Sequence, residues 1–270
     1  MSESQQQAGA GAPEQFGARV QQLLGTAIAE QMDAVRQVGA LIARTVERGG
    51  LVHTFGTGHS HLLAEEVYSR AGGLANVNVI QSSPLMLHED APASGDWERL
   101  PGVAAILLEH AAIDPARDIL IVISNSGRNA APVEAAEWAR AQGVPVVAVT
   151  SLAHSRSQPS LAPSGKRLCE VADVILDNLG EPGDAAIAVK SGVRVASTST
   201  IVGAFLLHLA VLSAVERCEQ EDITPPIRIS SNIEGARAAN LRTVASYPGA
   251  LSDAYERQRR ALSARARLEH

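Results

Sequence analysis

Between Gln15 and Arg48 the apolar positions Val20, Leu23, Leu24, Ala27, Ile28, Met32, Val35, Val38, Ile42 and Val46 recur mostly in steps of three and four. That spacing gathers them on one stripe and predicts a long amphipathic helix, or two helices broken near Gly39. Gly49-Gly50 then stops the pattern, as glycine does after a helix. So long an apolar stripe ahead of a domain needs a partner surface, within the chain or on a second subunit. Residues 1–14, rich in Gln, Ser, Ala and Gly, read as a flexible tail.

After Gly50 the texture changes to short β-branched runs, Leu51–Phe55, Val77–Ile80, Ile119–Ile123, Val144–Val149 and Val174–Leu176. Helical patterns lie between them, around Ser60–Ala71, Gly102–Ala111, Ala131–Gln142 and Gly165–Val171. Runs rich in Val and Ile without polar alternation are those of a parallel sheet covered on both faces. The alternation therefore predicts an α/β fold, a doubly wound five-stranded parallel sheet of flavodoxin-like order 2-1-3-4-5. Beyond it the chain reads as helical: Ala196–Glu219, Asn232–Ser246 after the Pro225-Pro226 break, and a C-terminal helix over 247–267. Ala196–Glu219 is apolar nearly all round, which predicts burial in a core or an interface. Residues 15–246 form one domain on this reading, without internal repeats or a long linker.

Three strand ends carry candidate chemistry. The first strand runs into Gly56-Thr57-Gly58-His59-Ser60-His61, the third into Ser124-Asn125-Ser126-Gly127-Arg128-Asn129, and the fourth into Thr150-Ser151. In the expected strand order these loops meet at the carboxyl edge, beside the switch between strands one and three. Glycines let the backbone approach a ligand, helix-start N–H groups attract an anion, and hydroxyls add uncharged donors. Each motif alone is an ordinary strand-to-helix turn or helix cap. On three converging loops they predict a cradle for a phosphate-type anion.

Composition narrows the class. With 46% hydrophobic and 19% charged residues among 270, the chain has the balance of a soluble globular protein. A net charge of −6 lacks the general attraction to nucleic acid, so none is expected as a partner. No membrane span is expected, since the longest apolar stretch, Ile201–Val215, is interrupted by Gly203, His208 and Ser213. The N-terminus shows no signal-peptide pattern, and two cysteines, Cys169 and Cys218, suit a reducing cytoplasm and exclude a cysteine zinc site. Residues 268–270, Leu-Glu-His, look like the remnant of an affinity tag.

Competing motifs fail. A dinucleotide fingerprint needs glycine where His61 stands and an acidic residue where Gln81 stands. No Gly-x-x-x-x-Gly-Lys-Ser/Thr run exists, and a hydrolase elbow would need glycine at Leu62. The ordered set Gly56-Thr57-Gly58-His59-Ser60, Ser124-Asn125-Ser126-Gly127, Thr150-Ser151 and Ser197-Thr198-Ser199-Thr200 resembles the sugar isomerase (SIS) domain family over about 15–242. Ala71-Gly72-Gly73-Leu74, Leu85-Met86-Leu87-His88 and Ser164-Gly165-Lys166-Arg167-Leu168 resemble a poorly characterised branch of it, related to phosphoheptose isomerases. The resemblance implies a homodimer or higher assembly whose site borrows side chains from the neighbouring subunit. It implies a phosphorylated sugar held by Ser124, Ser126 and Thr150 or Ser151, with Ser60 near the sugar. Gly58, Asn125, Gly127, Asn129, Ser197 and Thr198 complete the expected binding set.

Phosphoheptose isomerases place a histidine and a glutamate on the helix after the first glycine loop. Matched without gaps, those positions hold Glu66 and Arg70, and His208 sits three residues beyond the family's late histidine. Glu66, with Glu65 in reserve, is the expected base, and His59 the electrophile or ring-opening acid. His61 reads as packing or capping, and with Glu65 it supplies too few ligands for a metal, so neither metal nor cofactor is expected. His88-Glu89-Asp90 reads as a polar loop that overhangs the site, reaches across a dimer or is ordinary surface, Arg128 and Asn129 as sugar-hydroxyl contacts, His208 as a hydrogen-bonded core histidine. Trp97 and Trp138 read as packing. The leading expectation is an aldose–ketose isomerase of a phosphosugar. The alternatives are a lyase or etherase on an amino-sugar phosphate and a non-catalytic phosphosugar-binding regulator. Absence of a basic recognition helix ahead of the first strand favours an enzyme.

Overall fold

A computed structural model describes residues 11–247 of the chain. Helix α1 runs unbroken over Ala12–Glu47, with Pro13 in its first turn, so residues 12–14 belong to it and not to a tail. It does not break at Gly39. A Cβ there would stand 2.5 Å from Ser213 Oγ and 3.0 Å from the Ala214 nitrogen, so the glycine marks a close crossing of two helices.

The sheet comprises β1 (Val52–Gly56), β2 (Val77–Ile80), β3 (Ile119–Ile123), β4 (Val146–Thr150) and β5 (Val174–Asp177), all parallel, in order β2-β1-β3-β4-β5. Alternate residues serve opposite faces. Val52, Ile119, Ile121, Ile123, Val147 and Val149 join a core with α1, α2 (Ser60–Glu66) and α8 (Ser199–Gln220). Phe55, Leu120, Val122, Val146 and Ala148 join a second core with α4 (Val103–His110) and α5 (Ala130–Ala141). Burial of both faces is why these strands read as continuous apolar runs.

Several elements differ from the sequence reading. The His88-Glu89-Asp90 stretch ends in a helix N-cap: Asp90 accepts from the Ala93 N–H and starts α3 (Ala91–Arg99), with Pro92 in the first turn. A short helix, α6 (Leu152–Arg156), after β4 and an antiparallel hairpin of β6 (Ile187–Ala188) and β7 (Arg194–Val195) after β5 were not expected, whereas α7 (Leu168–Val171) falls within the expected stretch Gly165–Val171. Helix α9 (Ala236–Ala245) starts four residues later than Asn232. Trp97 is 41% exposed and does not pack as expected, whereas Trp138 lies against the second core. The C-terminal helix and tag residues expected after 247 lie outside the described residues.

Among the described residues α8 is long and apolar enough to cross a membrane by length and composition. Its Val202, Leu206, Leu207, Ala210 and Ala214 are buried against the sheet and α1, the position of a core helix. Both described cysteines are free thiols.

Candidate functional site

Two of the three expected loops, those after β1 and β3, reach a common cavity, which Thr150 and Ser151 after β4 do not line. At the carboxyl edge a cavity of about 90 Å³ is lined by His59, Ser60, Leu63, Ile123, Asn125, Val149, Asn178, Asp184, Ser199 and Thr200. It thus joins the loops after β1, β3 and β5 to the first turn of α8.

The loop after β3 is a tight turn, of which Asn125 lines the cavity. Ser124 Oγ accepts from the Gly127 N–H at 3.1 Å, folding the turn back on itself. Gly127 sits at φ +56°, and a Cβ there would meet Thr150 Oγ1 at 3.1 Å and Leu168 Cβ at 3.2 Å. Main-chain N–H groups of Asn125, Ser126 and Arg128 have no partner among the described residues. Successive N–H groups in such a turn form a concavity for an anion. Arg128 adds a buried Nε that likewise has no partner in the described protein. Ser126, Asn129 and Ser60 are partly exposed, with Asn129 at the N-cap of α5 and free of a side-chain cap bond.

Thr150 and Ser151 are held by main-chain partners. Both are fully buried. Thr150 Oγ1 donates to the Asn125 carbonyl at 3.1 Å, and Ser151 Oγ donates to the Gly180 carbonyl at 2.6 Å while accepting from the His154 N–H. Their protons are committed to main-chain carbonyls, so they hold the walls together. Donating to a ligand would require breaking those bonds. At the start of α8, Ser197 is exposed and Thr198 buried, and the Asp184 carboxylate accepts from the N–H groups of Thr198 and Ser199 and from Ser199 Oγ.

The glycine loop is held by its neighbours. The Gly58 N–H donates to the Leu85 carbonyl, and Thr57 Oγ1 donates to Glu98 Oε1 at 2.7 Å, which ties α3 to the loop. His61 is buried, hydrogen-bonds the Gly58 carbonyl and packs edge-on to His88 with centroids 6.0 Å apart. His88 is exposed beside Glu89, outside the cavity lining.

Along the seam between α2 and α8, Glu66 Oε1 lies 3.0 Å from His208 Nε2 and 3.1 Å from Arg70. His208 has a side chain 42% exposed, so it is not a core histidine. It shares an outer face of α8 with Ile201, Phe205, Leu209 and Leu212, opposite the buried Val202–Leu206–Ala210–Ala214 row. Glu65 turns away and accepts from Gln81 on the other side of α2. His154, on α6, has its imidazole pushed toward the neutral form by burial, an effect Asp184 opposes and Arg128 reinforces. Its Nδ1 accepts from the Gly183 N–H at 3.1 Å.

The residues the sequence reading missed are Asn178, Glu98 and Asp184. Asn178 Nδ2 donates to Asn125 Oδ1 at 2.9 Å. All three sit on segments without helical or strand periodicity, where only the turn residues of Pro182-Gly183-Asp184 offered a signal.

The profile of the SIS domain matches residues 15–151. A UPF0309 protein of Listeria monocytogenes serotype 4b (strain CLIP80459) is 42% identical over 226 residues, which cover 83% of this chain and 91% of the relative. Another, from Geobacillus kaustophilus (strain HTA426), is 39% identical over 234 residues, 86% of this chain and 93% of the relative. Among solved structures, phosphoheptose isomerase GmhA from Neisseria gonorrhoeae superposes with a TM-score of 0.50 at 16% identity, covering 75% of this chain and 96% of that one. That last likeness is one of fold. With a family profile over just over half its length and relatives matched nearly end to end, the chain belongs to the SIS domain family, among the UPF0309 proteins.

Proposed function

We propose that the protein binds a phosphorylated sugar at the carboxyl edge of its sheet and interconverts its aldose and ketose forms. Binding is supported by the unpartnered N–H groups of the Ser124–Arg128 turn beside the buried Arg128 Nε. A phosphate there accepts from the turn, from Ser126 and from the guanidinium, while Ser60, Asn125, Asn178, Ser199 and Thr200 meet sugar hydroxyls. Charge-assisted bonds of this kind are about twice as strong as neutral ones.

The single observation that carries the isomerase reading is the Glu66–His208 pair. Moving a carbonyl between C1 and C2 removes a proton from one carbon and returns it to the other. Glu66 is the carboxylate for that transfer, seven residues and about 10 Å along the helix from His59 at 1.5 Å per residue, within reach of an open-chain sugar. His208 orients it and passes the hydroxyl proton between the two oxygens. His59, at the cavity wall, assists ring opening.

The same face supports a homodimer or higher assembly. Ile201 and Leu212 on α8 and Ile28 on α1 are 40%, 59% and 53% exposed, an apolar strip that a second copy would cover together with the Glu66–His208 pair. The two free thiols fit a cytoplasmic setting. In deuterated water, with the correct phosphosugar, the wild type will exchange the carbon-bound proton. Glu66→Gln will bind the ligand and lose that exchange by at least a hundredfold. Normal exchange in Glu66→Gln removes the base. Tight binding without any exchange in the wild type leaves a phosphosugar-binding regulator instead.

A further inference from the structure

A volume of about 90 Å³ is below the roughly 300 Å³ at which small-molecule sites begin. A phosphosugar therefore fits only if a wall moves or if part of it lies outside the cavity, along the Ser124–Arg128 turn. Most walls are fixed: Ile123 and Val149 end strands paired on both sides, Leu63 lies in the core, and Thr200 belongs to a helix of 22 residues. Asp184 is different. It belongs to the segment between β5 and α8, in which Ile187 alone, from Pro182 to Ser197, is buried. Val193 and Val195 on it are 59% and 42% exposed.

Few apolar contacts and exposed backbone are what make a segment open locally at low cost. Three residues other than glycine hold left-handed backbone at its joints: Leu179 at φ +58°, Asp184 at +49° and Ala196 at +66°. Such conformations persist only while surrounding contacts impose them. Leu179 packs against the first core and Ile187 is buried, and the other contacts are polar. Arg194 ties the hairpin to itself through Glu181 and the carbonyls of Ala185 and Ala186. Outward, Glu181 pairs with Arg19 of α1 at 3.0 Å, and the Gly183 N–H donates to His154. Asp184 alone grips the first turn of α8, with three bonds to Thr198 and Ser199.

We infer that the hairpin segment 180–196 is a gate over the sugar end of the site, and that Asp184 is its latch. Closed, the carboxylate occupies donors at the helix start, the place where a hydroxyl-rich ligand would seek them. Ligand hydroxyls that take over the Ser199 hydroxyl and N–H release the carboxylate, and the segment swings on Leu179-Gly180 and Ala196. This inference rests on the phosphosugar reading only for the identity of what passes through the gate.

The experiment compares the wild type with Asp184→Asn and, in case that variant folds poorly, Arg194→Ala, which unties the hairpin that carries the latch. Lys190 is exposed near the hairpin tip. Trypsin cleavage after Lys190 and amide exchange over 185–196 should both quicken at least fivefold in each variant, with strand amides of β1 and β3 unchanged. Inorganic phosphate, which the Ser124–Arg128 turn can take without the segment moving, should associate equally fast with all three proteins. Fructose 6-phosphate should associate at least fivefold faster with the variants. Unchanged cleavage and exchange in both variants would overturn the latch, and faster opening without faster sugar-phosphate association would overturn the gate. Faster opening with neither phosphate nor sugar phosphate bound by any protein supports the latch and defeats the phosphosugar reading.

Discussion

Gly127 carries the Ser124–Arg128 turn on one residue. At φ +56° an L side chain is strained, and the space a Cβ would need is held by Thr150 Oγ1 and Leu168. Gly127→Ala is expected to lower stability by about 1–3 kcal/mol and, by shifting the turn, to weaken phosphosugar binding at least tenfold. Urea unfolding and calorimetry measure the two effects separately. The turn itself was readable from Ser124-Asn125-Ser126-Gly127, because the residue types state the backbone geometry. The role of Thr150 and Ser151 was not, since the carbonyls that take their protons, Asn125 and Gly180, are neighbours only in three dimensions. His208 was misread for a related reason. An apolar stretch suggests burial, but which face of a helix is buried depends on what packs there, and its partner Glu66 lies 142 positions away.

At the scale of elements, strands were the most legible because burial on both faces leaves them uniformly apolar, and all five lie within two residues of their expected bounds. Short helices set by a single cap, such as α3 behind Asp90, and the β6–β7 hairpin have no periodicity long enough to announce them. At the amino edge of the sheet, β1 and β3 are joined by a buried pair: His53 Nε2 stands 3.0 Å from Asp118 Oδ2, and Asn78 Nδ2 donates to His53 Nδ1. Burial alone would raise the Asp118 pKa. The bond from His53, with the N–H groups of Asp114 and Leu51, more than reverses this and holds it below the usual aspartate value. A carboxyl whose folded pKa is depressed stabilises the fold above its unfolded value and loses that contribution as pH falls through the folded one. Asp118→Asn is therefore expected to cost about 1–3 kcal/mol at pH 7. The deficit should shrink below pH ~4, as urea titrations at the two pH values would show. An equal deficit at both would detach it from ionisation.

For the whole molecule, the exposed apolar face of α8 includes His208, the partner of Glu66 on α2, so a second copy on that face would also reach the pair. Sedimentation at micromolar protein should give at least twice 28.3 kDa. Leu212→Glu, which places a charge on the exposed strip, should give monomers of native fold with depressed isomerase activity. A wild-type monomer would leave the strip without the partner assigned to it. The central claim remains the phosphate end of the ligand, and calorimetry with matched pairs of sugars and sugar phosphates tests it most directly. At least one sugar phosphate should bind at micromolar concentrations while its parent sugar does not, and Ser126→Ala should weaken that binding several-fold. Equal affinity for a sugar and its phosphate, or binding indifferent to Ser126, would contradict a phosphosugar site at the Ser124–Arg128 turn.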